Sequence, residues 1–388
     1  MINGELKLNH TIRWAMVGGG RGSQIGYIHR SSALRDNTFQ LVAGAFDIDP
    51  LRGKEFGVGL GLDEERCYPD YKTMFKEEAK RSDGIEAVSI ATPNGTHFEI
   101  CKAALEAKLH VVCEKPMCFS TKEAAVLKEL SEKNNRVVGI TYGYAGHQLI
   151  QQARSMVANG DLGEIRVINM QFAFGSYAFP IEQENPAAKW RLDPNFAGPS
   201  FAMGDVGTHP LFLSEAICPE LKIKRLMCSR QSFVKDRQLE DNAITIMEYE
   251  NGAVANVWSS AMNCGSVHGQ KIRIIGSKAS LEWWDERPNQ LTYEVEGKPV
   301  QILERGGGYL YEEAREEDRI SCGHPEGLFE AWTNLYLRFA MAMDRIDSGK
   351  NIERKDFWYP DVEAGYQGVK WVEKCVESAD NDSKWVEY

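Results

Sequence analysis

The chain has 388 residues, more than the roughly 250 to 300 at which a single hydrophobic core stops growing, so two domains are expected. A hydrophobic fraction of 43% fills two cores, and 26% charged residues with 14 scattered prolines exclude the composition of a long disordered tract. The net charge of −11 supplies no positive field for nucleic acid, no apolar run reaches a membrane span, and the opening residues lack the core of a secretion signal, so a cytoplasmic location is expected.

Residues 11–18 read as a strand running into glycines, followed by strands over 41–47, 87–91, 110–113 and 136–141. Between them, stretches such as 97–107 and 121–134 carry helical apolar spacing. This alternation predicts an α/β fold beginning with a doubly wound parallel sheet of the Rossmann type. From about residue 148 the rhythm changes. A helix over 148–159 stops at Asn159-Gly160, and longer strands follow over 164–174, 223–233, 242–249, 253–261, 271–276 and 280–284, with Glu250-Asn251-Gly252 as a hairpin turn. Here the expectation is an α+β domain with a large, mostly antiparallel open sheet. Residues 325–346 and 359–379 predict two long amphipathic helices, with Asp361 and Glu363 near the positive end of the second. The segment 305–318, glycines followed by mixed charge, predicts a surface loop.

Gly18-Gly19-Gly20-Arg21-Gly22-Ser23-Gln24-Ile25-Gly26 lies between the first strand and a helix. Backbone without Cβ lets a pyrophosphate approach, and the helix N-terminus offers it unpaired N–H groups. The spacing departs from Gly-x-Gly-x-x-Gly, with Gly26 as the helix-facing glycine of a longer loop; a tight turn without a ligand is the alternative. Gly18, Gly20, Gly22, Ser23, Gln24 and Ile25 are the expected contacts. The second strand ends at Phe46-Asp47-Ile48-Asp49-Pro50, where Asp49 caps a helix with proline in its first turn. That leaves Asp47 to take the ribose hydroxyls of the adenosine half, where its carboxylate repels a 2′-phosphate, so NAD is favoured over NADP. Arg52, also placed at the cofactor, argues the other way. The domains expected are 1–145, dinucleotide-binding, and 146–388, for substrate and oligomerisation, with the helix at about 359–379 able to pack back on the first.

Three further strings, Ala91-Thr92-Pro93-Asn94-x-x-His97, Cys113-Glu114-Lys115-Pro116 and Gly204-Asp205-Val206-Gly207-Thr208-His209, follow in order, with Gly160-Asp161-Leu162-Gly163-Glu164-Ile165 opening the second half. Over most of its length the chain resembles the Gfo/Idh/MocA oxidoreductase family. The resemblance implies an NAD(P)-dependent dehydrogenase acting on a secondary hydroxyl, or the corresponding ketone, of a sugar, an inositol or a glycoside. It also implies a homo-oligomer, dimer or tetramer, formed through the sheet face. Thr92, Asn94, His97, Glu114 and Lys115 would lie along the nicotinamide half, and Lys115, Asp205 and His209 would be the reacting groups.

Asp205 and His209 are spaced i and i+4, which puts them on one helix face, while Pro210 requires an irregular or starting turn there. His209 would act as general base, Asp205 would orient its imidazole, and Lys115, aimed by Pro116, would donate to the same oxygen. The plainer alternative makes Thr208 a helix cap and His209 a surface residue. Trp190 and Arg191 suit sugar recognition by indole stacking and guanidinium hydrogen bonds, or anchor a loop, and Tyr144 is a further expected substrate contact.

Two alternative functions are a glycoside-cleaving enzyme that recycles its NAD and a non-catalytic NAD-binding regulator. Net formation of reduced nicotinamide separates the first from a dehydrogenase, and the joint presence of Lys115, Asp205 and His209 argues against the second. The nine cysteines occur without a Cys-x-x-Cys pair, and His147, His268 and Cys322-Gly323-His324 lack ligand spacing, so neither disulfides nor a metal is expected. Glu77, Glu78, Lys80 and Arg81 and the 312–318 run are expected as solvated surface, and Trp283-Trp284 and Phe357-Trp358-Tyr359 as core or interface.

Overall fold

The computed structural model describes residues 2–352 and 357–388. They divide into two compact units: Asn3–Gly143 with Trp332–Gln367, and Tyr144–Ala331 with Gly368–Tyr388 and Ile2. In the first unit, β1 (Ile12–Gly18), β2 (Phe39–Ala45), β3 (Ala87–Ala91), β4 (His110–Cys113) and β5 (Val138–Ile140) form a parallel sheet in the order β2-β1-β3-β4-β5. Its central strands are apolar without alternation, as burial on both faces requires, and every residue of β3, β4 and β5 is buried. The helices between them start where short polar side chains bond the first turn: Ser23, Asp49, Asp70 and Ser120 each accept from a backbone N–H at their N-cap, an arrangement worth about 1 kcal/mol apiece.

The strand expected over 41–47 runs two residues earlier. Phe46 turns inward against Phe56, and Asp47 accepts from the Asp49 N–H at 3.0 Å, so both belong to the turn. The segment Trp332–Gln367, which the expected boundary at 146 places in the second domain, is packed with the first unit. Tyr336 and Phe339 of the helix Leu328–Asp347 are fully buried there, and a Cβ on Gly139 would lie 2.6 Å from the Phe339 ring. Amphipathic spacing shows that this helix has a buried face; it does not say against what.

The second unit is built on nine strands in the order β13-β12-β11-β10-β6-β9-β8-β7-β14. They are β6 (Ile165–Ala173), β7 (Ile223–Gln231), β8 (Asn242–Tyr249), β9 (Val254–Ser260), β10 (Gln270–Gly276), β11 (Ala279–Trp284), β12 (Gln290–Val295), β13 (Gln301–Glu304) and β14 (Val386–Glu387). Among the described residues, only the β6 and β9 pairing of this sheet is parallel. β12 to β14 are short and mostly polar, and the sequence reading missed them. One face buries Ile168, Met170, Val257, Ile272, Ile274, Leu281 and Trp283; the other leaves Ile244, Ile246 and Val254 between 41% and 49% exposed.

Two expectations of surface hold only in part: Lys80, Arg81, Glu312, Glu313, Arg315 and Glu316 are exposed, while Arg305 and Glu78 depart from them for one reason, which is that a charged residue can organise a fold from inside. Arg305 is buried, donates to the Asp318 carboxylate at 3.0 Å and the Glu326 carboxylate at 3.2 Å, and also binds the carbonyls of Ile320, Ser321 and His324. With Leu310 and Ala314 buried and a helical turn at Glu312–Arg315, the segment is a packed loop. Glu78 is likewise buried, accepting from Arg66 at 3.0 Å and the Tyr68 hydroxyl at 2.9 Å. Among the described residues, no helix is long and apolar enough to cross a membrane.

Candidate active site

In the first unit β1, β3 and β4 are neighbours, so the segments that follow them leave the same sheet edge. The chain order reverses around β1, with β2 on one side and β3 on the other, and the crevice outside such a reversal is where open α/β sheets bind ligands. The loop after β1 fits a dinucleotide. A Cβ on Gly20 would stand 2.6 Å from the Phe46 carbonyl oxygen, and one on Gly26 would strike the backbone of Gly19, so the loop closes only without side chains. Gly19, absent from the expected contacts, is thus as constrained as the glycines around it. Ser23 caps the helix Gln24–Ala33 by accepting from the Gly26 N–H at 3.1 Å, and the Arg30 guanidinium donates to the Gly19 carbonyl at 2.7 Å from beneath.

Asp47 stands beyond β2 but is not idle, as the capping argument had left it. Arg52 Nε and an outer guanidinium nitrogen reach its two oxygens at 2.7 and 2.6 Å. The Arg52 hydrogen bond, with that of the Asp49 N–H, holds the Asp47 carboxyl below its usual value despite some burial. After β3, the Thr96 hydroxyl donates to that of Thr92 at 2.7 Å, and Asn94 is buried. His97 is fully buried, with Nδ1 2.8 Å from the Pro116 carbonyl and Nε2 2.9 Å from that of Thr92. Burial lowers its pKa, and both nitrogens face main-chain oxygens, so its ring ties the Thr92 turn to the Lys115 turn. After β4 come Glu114, Lys115 and a cis peptide to Pro116. Glu114 Oε1 accepts from the Thr141 hydroxyl at 2.6 Å and lies 3.1 Å from His29 Nε2. Burial alone would raise the Glu114 pKa; His29, with Lys115 and Thr141, holds it below its usual value. His29, missed in the sequence, also bonds the buried Tyr336 hydroxyl.

In the second unit, Asp205 lies in a π-helical turn, Ala202–Gly207, that runs into the α-helix Thr208–Ile217. Pro210 falls in the first turn of that α-helix, where a missing N–H is tolerated, so the irregularity it implied is real and lies just before it. His209 is only 8% exposed, which removes the surface-residue alternative. The Tyr144 ring stands edge-on to it at 4.9 Å and Phe172 packs at 5.9 Å. The Asp205 carboxylate, four positions before His209 in the chain, lies 3.5 Å from Arg191 Nε in an ion pair. That guanidinium stacks 4.5 Å over the Trp190 ring.

The segment carrying Trp190 and Arg191 has its own small core of Tyr177, Leu192, Ala197, Phe201, Leu239 and Ala261. Arg237 clamps it, bonding the Glu182 carboxylate at 2.9 and 3.0 Å, the Tyr177 carbonyl at 2.9 Å and the buried Asp241 at 3.2 Å. Beneath the π turn, Glu240 Oε1 accepts from the Met203 N–H at 3.2 Å and from the Ser200 hydroxyl. Its other oxygen faces Arg230 at 3.9 Å, beyond hydrogen-bond reach. Neither clamp was visible in the sequence, because Glu240 reaches partners 37 and 40 positions away and Arg237 reaches the segment at partners 55 and 60 positions away.

These features define a dinucleotide-dependent oxidoreductase class, and comparison with known proteins makes it particular. Residues 12–142 match the NAD-binding Rossmann fold of the oxidoreductase family and residues 154–388 match its C-terminal alpha/beta domain. The chain belongs to the Gfo/Idh/MocA family and is an NAD-binding oxidoreductase. It is 55% identical over the full length of both chains to the oxidoreductase YfiI of Bacillus subtilis (strain 168). An inositol dehydrogenase homolog from Azotobacter vinelandii, solved with NAD+, is 67% identical with a TM-score of 0.98, the match covering 100% of each chain. The same homolog solved with NADH and myo-inositol is 66% identical with a TM-score of 0.95, again over 100% of each.

Proposed function

We propose that this enzyme oxidises one ring hydroxyl of a cyclic polyol of the inositol class to the ketone, using NAD. The observation that carries the substrate class is the full-length likeness to the Azotobacter vinelandii homolog holding NADH and myo-inositol. A bound NAD would supply the hydride acceptor for that carbon. His209 removes the hydroxyl proton as general base, a task suited to an imidazole and worth about 100-fold to 10,000-fold in rate. Lys115 donates to the same oxygen and steadies its developing negative charge. Asp205 acts through Arg191, holding the guanidinium ready for substrate hydroxyls beside the Trp190 face. The glycine loop takes the pyrophosphate, Asp47 and Arg52 flank the adenosine ribose, and Thr92, Asn94 and Glu114 line the nicotinamide half. His97 supports those turns from behind.

The half-exposed apolar face around Ile244, Ile246 and Val254 supports a homo-oligomer in which that face meets a second copy.

The test is a panel of inositols, aldohexoses, anhydrosugars and glycosides with NAD and with NADP, read by reduced-nicotinamide absorbance. Net absorbance with one or more inositols and NAD is expected. Turnover without net absorbance would favour the NAD-recycling reaction, and turnover of sugars alone would overturn the inositol class. His209→Ala should bind NAD normally, by calorimetry, and turn over at least about 100-fold more slowly. Near-normal turnover would remove His209 from its role.

A further inference from the structure

Behind the expected substrate contact Tyr144 lies a line of titratable groups that the proposed chemistry leaves unused. The Tyr144 hydroxyl is 3.0 Å from His268 Nε2. His268 Nδ1 is 2.9 Å from Asp285 Oδ2, an ion-pair contact rather than an aligned hydrogen bond, and the other oxygen of Asp285 is 3.7 Å from His147 Nε2. Phe172 packs against both the His268 ring, at 4.5 Å, and the His209 ring. Tyr144, His268 and Asp285 lie more than 120 positions apart at their extremes and converge through the β10 and β11 pairing, in which the Asp285 N–H bonds the Gln270 carbonyl.

The proton positions follow from the donor and acceptor inventory. Burial alone would raise the Asp285 pKa, but the imidazoles of His147 and His268 beside it bring it down to about 2, so it is a carboxylate and accepts only. The ring nitrogen facing it therefore carries the hydrogen. In the neutral ring Nε2 is then an acceptor, and the Tyr144 hydroxyl donates to it. With its one hydrogen so engaged, the phenol oxygen can meet a further hydroxyl only as an acceptor.

We infer that Tyr144, oriented by His268 and Asp285, accepts a hydrogen bond from a second substrate hydroxyl, vicinal to the carbon on which His209 acts. Such an acceptor, one ring away from the base, distinguishes a polyol from an isolated secondary alcohol. The inference rests on the polyol reading above and deepens it. Tyr144 would touch the substrate; His268 and Asp285 would be positioning residues.

The experiment uses the full chain with NAD and the best polyol of the panel. It compares wild type with Tyr144→Phe, His268→Phe, His268→Gln and the Tyr144→Phe/His268→Phe pair, each checked by thermal melt. Losing one neutral hydrogen bond to substrate should raise KM about tenfold in Tyr144→Phe and His268→Phe, with kcat within about threefold. The double variant should be no worse than Tyr144→Phe alone, and His268→Gln, whose amide oxygen also accepts from a phenol, should recover most of the loss. With a substrate analogue lacking the vicinal hydroxyl, wild type and Tyr144→Phe should share one KM. Additive losses, an unrescued Gln variant that is folded, or a Tyr144→Phe penalty that persists on the deoxy analogue would each overturn the inference. A working wild type whose Tyr144→Phe variant keeps its KM sinks this inference alone. A wild type that turns over no polyol sinks the substrate reading and this inference with it.

Discussion

Asp47 and Arg52 form an ion pair just beyond β2 whose two members would act on a bound dinucleotide in opposing ways. The acidic residue at the end of the second strand was legible, because Asp49 and Pro50 so plainly start a helix. The bidentate partner was not, since a basic residue five positions on can point anywhere. The pair is exposed on the Arg52 side, where solvent screens it, so it contributes little to the stability of the fold. Asp47→Ala should therefore fold normally, weaken NAD, and free Arg52 for a 2′-phosphate. Calorimetric affinities should fall for NAD and hold or rise for NADP; an equal fall in both would contradict the assignment.

Glu240 is a second residue whose role depends on its state. Burial raises its pKa, against the hydrogen bonds from Ser200 and Met203. The native state thus binds its proton more tightly than the unfolded chain does. Its contribution to stability is greatest below the ordinary carboxyl value and declines as pH rises from there through the raised value. Glu240→Gln cannot ionise and should remove that slope. Urea denaturation of both proteins between pH 4 and 8 should give curves whose stability difference grows in favour of the variant as pH rises through that window and then levels. A difference constant with pH would show that the carboxyl does not titrate on folding.

At the scale of elements, the parallel strands, the long helices and most of the antiparallel strands were readable within a few residues, since each carries its own period. The elements that hold the substrate side in shape were not. The π turn was foreshadowed only by Pro210, and the Trp190 segment reads as a loop although it owns a core. Arg237 joins that segment to β8 through buried charges. Removing one partner of a buried pair costs about 3 to 5 kcal/mol because the other is left unpaired. Arg237→Ala should lower stability by that order in chemical denaturation and open residues 174–201 to limited proteolysis first. A variant as resistant as wild type would show that the small core suffices without the clamp.

At the scale of the whole molecule, the family followed from four short strings in order, the two folds from the change of strand rhythm near residue 148, and NAD from the glycine loop with Asp47. What the sequence could not show is which side chains of one strand face water, because burial on both sides and burial on one differ here by only a few positions. Ile244 and Ile246 alternate with buried residues on β8, and their exposure is a property of the sheet. If that face meets a second copy, Ile244→Lys with Ile246→Lys should lower the sedimentation mass while leaving the fold intact, because both side chains already reach solvent. An unchanged mass would place the contact elsewhere.

The first unit is also interrupted in the chain, and that bears on the order of events during synthesis. Trp332, Tyr336 and Phe339, which complete its interior, are made only after residues 144–331. At about 5 to 20 residues per second this leaves the parallel sheet waiting roughly 10 to 40 s for the side chains that Gly139, Gly143 and Ser89 are shaped to receive. During that interval the second unit has every one of its strands but β14 available to pair. The second unit waits in turn for residues 368–388, whose Trp371 and Cys375 are fully buried, so each unit reaches its final form only after its own late segment is made.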